Sequence, residues 1–272
     1  MHVYILVRAR YAARMNPDLP LARRDELASR LSSGQSLVAA NLAVEFAVSE
    51  DAIRRDLRAL ASEGKCRRVY GGALPVLPAA LPMAARIDMD ADRKRILAQT
   101  AASLIQPGQF LFLDSGSTNL ALANILPADF ELTVVTNSVD IAAAVLRRTD
   151  LQLVMTGGLV DQHVGGSVDP TSVEFVRRMS FDMCFIGACA VSTSRGIGAF
   201  GLSDAAFKRA VVAASAQKVV LATTAKLHAR APYSVANMKE IDFLIVEEDA
   251  PGDVLAALSK SGPTVMTAVE KS

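Results

Sequence analysis

The chain of 272 residues has no tryptophan, only three cysteines and three histidines, and a net charge of +1. Cys66, Cys184 and Cys189 are odd in number and lack metal-ligand spacing, and the histidines are scattered, so neither a disulfide framework nor a metal site is predicted. No uninterrupted apolar run approaches the ~20 residues of a membrane helix. The apolar start of the chain is too short for a secretory signal. We therefore expect a reducing, cytoplasmic location, no membrane partner and no cofactor.

The near-zero net charge hides an uneven distribution. Residues 1–80 carry 12 Lys or Arg against 8 Asp or Glu, and the remaining residues carry 17 against 20. A basic N-terminal part beside a mildly acidic C-terminal part is expected where only the first part meets nucleic acid. The difference is modest and decides nothing alone.

Two short amphipathic helices around a tight turn are predicted between residues 38 and 60. Val38, Leu42 and Phe46 recur every four residues, which gives the first helix one apolar side. Ser49 can cap the second helix, because its hydroxyl can accept a hydrogen bond from a free N–H group of the first turn.

The second helix has an apolar side and an arginine side. The apolar side is expected to face the core and consists of Ile53, Leu57 and Leu60. The opposite side consists of Arg54, Arg55 and Arg58. This is the layout of a helix-turn-helix whose second helix enters the DNA major groove. For the arginines taken alone, an ordinary solvated helix face is the alternative.

A short basic ribbon follows a helix stop at Glu63-Gly64. It contains a glycine turn and suits a wing that lies along phosphates. Its expected DNA contacts are Lys65, Arg67, Arg68 and Tyr70. With Ser49 and the three arginines, these residues form the predicted DNA-binding surface. Removing Arg54 or Arg55 is expected to weaken DNA binding by roughly 1–3 kcal/mol if the side chain makes a bidentate base contact.

The composition divides the chain into four parts. Residues 1–20 show no periodicity and are expected to be an N-terminal extension, either an arm that reaches a groove or a disordered tail. Residues 21–74 form the predicted winged helix-turn-helix domain. Residues 75–90 contain three prolines and are predicted to be an extended linker. Residues 91–272 form a predicted effector-sensing domain.

In this last part, short apolar strands alternate with helices. The strands begin near Phe110, Leu132, Leu151, Met183, Val219 and Phe243. Such alternation predicts a mainly parallel sheet covered on both faces. The expected fold class is thus α/β, with an N-terminal winged helix-turn-helix and a C-terminal, mainly parallel α/β domain.

Small, hydroxyl-bearing and glycine residues recur where these strands end. They are Asp114, Ser115, Gly116, Ser117, Thr118, Thr136, Asn137, Ser138, Gly157 and Gly158. Ligands of open α/β sheets bind beyond the carboxyl ends of the strands, and such loops offer N–H groups and hydroxyls to a phosphate. Asp204, Lys208 and Lys226 are expected to join them. Each segment alone is equally a turn or a helix cap; their recurrence predicts a pocket for a phosphorylated, polyhydroxylated small ligand.

The N-terminal motifs resemble those of DeoR-type transcriptional regulators. The matching residues are Val48-Ser49, Ile53-Arg54-Arg55-Asp56-Leu57, Glu63-Gly64 and Arg68-Val69-Tyr70-Gly71-Gly72-Ala73. Further segments look like the sensor domain of the same family, namely residues 114–118, 136–138, 156–158, 182–187 and 205–209. The resemblance covers about residues 21–250. It implies a sensor domain similar in fold to ribose-phosphate isomerases that senses phosphorylated sugars.

Four positions depart from the family pattern. Ala52 stands where threonine is usual, and Cys66 where an aliphatic residue is more frequent. Asp204 stands in place of a glutamate, and Thr223 in place of an aspartate. The last two lie near the expected pocket, so the effector can differ from that of better-known relatives.

The resulting hypothesis is a non-enzymatic repressor of a sugar or polyol catabolic operon, relieved by a phosphorylated sugar. Effector and DNA binding would be coupled by ~1–3 kcal/mol, and a homodimer or homotetramer would read repeated half-sites. The alternative is a sugar-phosphate isomerase with an appended DNA-binding module, in which Asp114, Asp204 and Lys208 move the proton. The strand ends offer no obvious histidine or paired glutamates for that chemistry.

Overall fold

The computed structural model describes residues 20–32, 35–75, 81–227 and 229–270. The chain divides into two compact units, Met1–Leu77 and Pro78–Ser272. Of the predicted N-terminal extension, residues 1–19 lie outside the described residues, and Pro20 begins the first helix. Among the residues described, no helix combines the length and apolar character needed to cross a membrane.

The N-terminal unit is a winged helix-turn-helix, as the sequence predicts. Its elements are α1 (Pro20–Ser32), β1 (Leu37–Val38), α2 (Ala39–Glu45), α3 (Glu50–Ser62), β2 (Cys66–Val69) and β3 (Gly72–Pro75). The three strands pair antiparallel in the order β1-β3-β2.

The core of this unit follows the helical periodicity of α3. Its buried face consists of Ile53, Asp56, Leu57 and Leu60. Cys66 of β2 packs into the same core, and burial raises the pKa of its thiol. Gly72 allows β1 and β3 to pair closely, since a Cβ there would lie 1.9 Å from the carbonyl oxygen of Leu37.

The C-terminal unit is built from alternating strands and helices. From residue 83 to residue 167 they are α4 (Met83–Arg86), α5 (Ala91–Ala102), β4 (Phe110–Leu113), α6 (Ser117–Ala123), β5 (Thr133–Thr136), α7 (Val139–Leu146), β6 (Gln152–Met155), β7 (Val160–Asp161) and β8 (Gly166–Ser167). They continue with α8 (Pro170–Arg177), β9 (Phe181–Ile186), β10 (Ala190–Ser192), β11 (Gly196–Ala199), α9 (Leu202–Ala213), β12 (Ser215–Ala222), α10 (Thr224–Leu227) and β13 (Tyr233–Ala236). A 3₁₀ turn (Met238–Glu240) precedes β14 (Phe243–Glu247), α11 (Gly252–Ser259) and β15 (Thr264–Ala268).

A seven-stranded parallel sheet forms the centre of the unit, in the order β15-β14-β12-β9-β4-β5-β6. Successive side chains of a strand point to opposite faces. On β4, Phe112 packs against Phe181 and Phe207, with ring centroids 5.1 and 5.9 Å apart, whereas Leu111 and Leu113 enter the core on the other face. The predicted fold class, a parallel sheet covered on both faces, is confirmed.

Three features of this unit differ from the sequence-based expectation. The edge strand β15 and the small antiparallel sheet β10-β11-β13 were not predicted, because their short runs lack a continuous apolar pattern. The predicted extended linker is wrong at residues 81–90, which include α4. Met83 is only 1% exposed, and its N–H group donates to the carbonyl oxygen of His163 at 3.0 Å. The buried side chain of Met83 packs this segment onto the C-terminal unit, a contact that the proline-based prediction did not take into account.

Candidate functional site

Helix α3 presents its three arginines on the exposed side of the N-terminal unit. Arg54 forms ion pairs with Glu50 at 2.7 Å and with Asp51 at 3.6 Å. The Nε of Arg58 donates to the carbonyl oxygen of Arg54 at 3.3 Å, and Arg55 has no ion-pair partner among the described residues. Exposed ion pairs within one helix contribute little, so Arg54 can exchange its carboxylates for an external acceptor.

Ser49 lies at the N-terminal end of the same helix and acts as its cap. The backbone N–H of Ala52 donates to the hydroxyl of Ser49 at 3.2 Å. The capping part of the expectation is confirmed, while a DNA contact by Ser49 stays a prediction.

The sequence reasoning missed a buried ion pair that holds α3 against α1. Asp56 is buried and accepts a hydrogen bond from the Nε of Arg23 at 2.7 Å. Arg24 lies 3.7 Å from the other carboxylate oxygen. The available signal was a carboxylate at a position where the helical periodicity requires an apolar residue.

The wing carries the other four expected DNA contacts. Lys65, which precedes β2, pairs with Glu63 at 2.8 Å. Arg67, Arg68 and Tyr70 are exposed on the hairpin of β2 and β3. Gly71 has a φ of +81° and makes the tight turn possible. Three of the four expected side chains are thus exposed without an ion pair in the described part of the chain.

In the C-terminal unit, a cavity opens beyond the carboxyl ends of strands β4, β9 and β12, as expected for an open α/β sheet. The expected residues that line it are Ser115, Gly116, Ser117, Thr118, Asp204, Lys208 and Lys226. Further lining residues that the sequence reasoning did not assign are Arg86, Lys94, Asn119, Asp161, His163 and Cys189. Thr223, noted as a family departure, also lines the cavity.

Lys208 lies between two carboxylates at the floor of this cavity. Its Nζ is 2.9 Å from the Oδ2 of Asp114 and also donates to Asp204. Burial alone would lower the pKa of Lys208, but the two carboxylates outweigh burial and raise it. Asp114 is fully buried, and burial raises the pKa of its carboxyl against the opposing effect of Lys208. One lysine thus faces two carboxyl groups, and it brings no surplus positive charge to a ligand.

Three other cations line the cavity, and none of them forms an ion pair with a described residue. Burial lowers the pKa of Arg86, whose Nε has no hydrogen-bond partner among the described residues. Burial, with some contribution from Arg86, lowers the pKa of Lys94, and the nearby Asp90 opposes this. The pKa of Lys226 is lowered to about 8, chiefly by burial and further by the charges of Arg86 and Lys94. We call Arg86, Lys94 and Lys226 the cation cluster.

The hydrogen bonds of Lys94 show how the cluster is assembled. Its Nζ donates to the carbonyl oxygen of Arg86 at 2.5 Å and to that of Met89. The Nη2 of Arg86 donates to the carbonyl oxygen of His163 at 3.4 Å. No sequence signal separated Arg86 and Lys94 from ordinary surface cations, since Arg86 bonds the distant His163 and Lys94 bonds carbonyl groups of a segment that was predicted to be extended.

The Thr136–Ser138 segment, expected in the pocket, does not line the cavity. The hydroxyl of Thr136 donates to the carbonyl oxygen of Leu113 at 2.6 Å, and Ser138 caps α7 by accepting from the N–H of Ile141 at 3.4 Å. Asn137 is buried, and its Oδ1 accepts from the N–H of Ser115 at 3.0 Å. Their polar groups hold the neighbouring loop and cap α7, and an effector contact by these three residues stays a prediction.

Gly157 and Gly158 do not line the cavity either. Both have positive φ, +68° and +97°. A Cβ on Gly158 would lie 2.3 Å from the Oδ1 of Asp169, the residue that caps α8. The two glycines therefore turn the chain after β6 and leave room for this cap, and an effector contact by them stays a prediction.

The two units together define a class of protein. A winged helix with exposed arginines joined to an α/β domain with a cationic cavity is the organisation of a ligand-responsive transcriptional regulator. The family model of the DeoR C-terminal sensor domain matches residues 89–248, and that of the DeoR-like helix-turn-helix domain matches residues 23–76. The chain belongs to the DeoR family of transcriptional regulators.

Individual relatives agree with this assignment. The chain is 29% identical over 248 residues to a putative aga operon transcriptional repressor of Escherichia coli O157:H7, covering 90% of this chain and 92% of that protein. It is 26% identical over 219 residues to the glycerol-3-phosphate regulon repressor of Escherichia coli K12, covering 80% and 87%. A ribose 5-phosphate isomerase of Methanocaldococcus jannaschii overlaps more loosely, at 17% identity and a TM-score of 0.36, over 50% of this chain and 54% of the isomerase.

Proposed function

We propose that this chain represses a sugar or polyol catabolic operon and releases its operator when a phosphorylated sugar binds the C-terminal unit. Relatives named as repressors of the aga operon and of the glycerol-3-phosphate regulon support the regulatory role and the metabolic context. Binding of double-stranded DNA by the winged helix would place the protein in the cytoplasm. A homodimer or homotetramer would give it enough base contacts to read repeated half-sites.

The cation cluster is the observation that carries the effector assignment. Three cations within one cavity repel one another, and the charges of Arg86 and Lys94 add to burial, the main cause, in lowering the pKa of Lys226. An anion placed among them removes this repulsion and would raise the pKa of Lys226 again. A phosphate carries about −1.5 to −2 charges at pH 7 and three acceptor oxygens, so it fits the cluster better than a single carboxylate.

The rest of the cavity supports a hydroxylated ligand. The hydroxyls of Ser115, Ser117 and Thr118 belong to residues that line the wall. Asp204 also lines it, and the Oδ1 of Asp114 has no hydrogen-bond partner among the described residues. Carboxylates accept hydrogen bonds from sugar hydroxyls and repel phosphates. We therefore place the phosphate at the cation cluster and the sugar hydroxyls toward Asp204, the carboxylate beside Lys208 that lines the cavity.

A thermal-shift titration tests the proposal. Ribose 5-phosphate, fructose 6-phosphate and glucosamine 6-phosphate are compared with the same sugars lacking phosphate, and the phosphorylated forms are expected to raise the melting temperature. Arg86→Met and Lys226→Met should abolish the shift, whereas Arg95→Ala, which alters only an exposed arginine of α5, should retain it. Equal shifts by phosphorylated and unphosphorylated sugars would contradict the phosphate assignment. Conversion of any of these phosphates, followed by NMR, would support the isomerase alternative instead.

A further inference from the structure

Four side chains outside the cavity wall join two helices of the C-terminal unit. The guanidinium of Arg93 binds Glu247 through two hydrogen bonds of 2.7 and 2.8 Å and lies 2.5 Å from Asp249. Thr224 also binds these two carboxylates. Its N–H donates to Glu247 and its hydroxyl donates to Asp249, each at 2.6 Å. We call Arg93, Thr224, Glu247 and Asp249 the Arg93 bridge.

The bridge connects the two helices that carry the lysines of the cation cluster. Arg93 precedes Lys94 in the first turn of α5. Thr224 is the first residue of α10, a helix of four residues that also contains Lys226. Glu247 at the end of β14 contacts both helices, because one of its oxygens accepts from Arg93 and from Thr224. The bridge therefore fixes the ends of α5 and α10 to each other.

The Arg93 bridge opposes the electrostatic repulsion among the cations of the cluster. The groups whose charges act on Lys226 are Arg86, Lys94, Glu247 and Cys189. In the absence of an anion, repulsion among the cations favours moving α5 and α10 apart. The side chain of Glu247 is only 7% exposed, and its paired hydrogen bonds to Arg93 have a fixed geometry that a lysine could not reproduce. Such a contact resists separation of the two helices.

We propose that the Arg93 bridge is a positioning device that holds Lys94 and Lys226 at the spacing needed to bind one anionic group of the effector. This inference rests on the proposed function, since it assumes that the cation cluster binds phosphate. It adds residues that touch neither the cavity nor the ligand. Their contribution is preorganisation. The folded protein already holds the like charges close together, so ligand binding does not have to supply the free energy of bringing them together.

Titration of the full chain with inorganic phosphate tests the inference. Glu247→Gln and Arg93→Lys should weaken phosphate binding about tenfold, the effect of losing one charge-assisted hydrogen bond. Thr224→Val removes only a neutral hydroxyl and should weaken binding less, and it keeps the test decisive if the charge-altering variants do not fold. Arg95→Ala is the matched control on α5, since its partners Glu270 and Asp92 lie outside the bridge.

Phosphate affinity measured together with the melting temperature separates positioning from a general loss of stability. Arg93→Ala should weaken phosphate binding at temperatures where the variant is fully folded, because Lys94 and Lys226 are then no longer held at one spacing. A purely structural role would lower the melting temperature and leave the phosphate affinity of the folded protein unchanged. If Lys226→Met binds phosphate like the wild type, the proposed function fails. If Lys226→Met loses binding while every bridge variant matches Arg95→Ala, only the positioning role is overturned.

Discussion

Replacing Lys208 with methionine should destabilise the C-terminal unit strongly. Lys208 is 2% exposed, and its Nζ bonds both Asp114, which is 0% exposed, and Asp204. The substitution keeps most of the side-chain volume but leaves two buried carboxyl groups without a cation. Breaking a buried ion pair by removing one partner costs about 3–5 kcal/mol. At about 2–4 °C per kcal/mol for a unit of this size, the melting temperature should fall by about 6–20 °C.

Differential scanning calorimetry suits this measurement, because the chain has no tryptophan to report unfolding by fluorescence. The loss of stability in Lys208→Met should be smallest at low pH. Without Lys208 the pKa of Asp114 rises further above its unfolded value, so the stability retained in acid is lost as the pH rises. The double variant Lys208→Met with Asp114→Asn should recover part of the loss, since it removes one unpaired carboxylate. A cost below about 1 kcal/mol at neutral pH would refute the reasoning, because that is the range of exposed ion pairs.

Three further predictions concern the DNA-binding unit and the effector. Asp56→Ala should lower the stability of the winged helix by about 3 kcal/mol, since Arg23 is left buried without a partner, and urea unfolding measures it. Phosphate affinity, measured by calorimetric titration, should fall as the pH rises above about 8, because Lys226 loses its proton there. It should also fall below about pH 6, because phosphate gains a proton there. A phosphate affinity that is constant across both limits would contradict phosphate binding by the cation cluster. In a salt series of gel shifts, Arg55→Ala should cost roughly 1–3 kcal/mol and relax sequence preference, whereas Arg67→Ala should weaken all sequences alike and lower the salt slope by about 1.

Local patterns in the sequence predicted the elements that depend on local physics. Ile53, Leu57 and Leu60 recur at helical spacing, and the structure buries all three. Ser49 precedes a helix and caps it. Six short apolar runs were predicted to be strands, because a strand that is covered on both faces is apolar throughout. The structure has a parallel strand at each of them. The edge strand β15 has threonines at two of its five positions and therefore lacks the continuous apolar run by which the other strands were predicted.

The candidate site could be predicted only in part. Residues 115–118, Asp204, Lys208 and Lys226 line the cavity because parallel strands end at one edge of the sheet. Thr136 and Gly158 share that edge but support the neighbouring backbone and helix cap. A sequence shows that a residue is polar; it does not show whether its polar group is already used by another part of the chain.

The sequence by itself determined that a helix-turn-helix with an arginine face and a basic wing is followed by an α/β domain with polar strand ends. These properties arise from spacings of a few residues, which fix helix faces and strand ends. Only the tertiary structure decided which cations line the cavity without a carboxylate of the described residues bound to them. It brings Arg86 and Lys94 to Lys226 from distant parts of the chain, and it neutralises Lys208 with two carboxylates. Charge in a cavity depends on what surrounds each group, and that is set by contacts between residues far apart in the sequence.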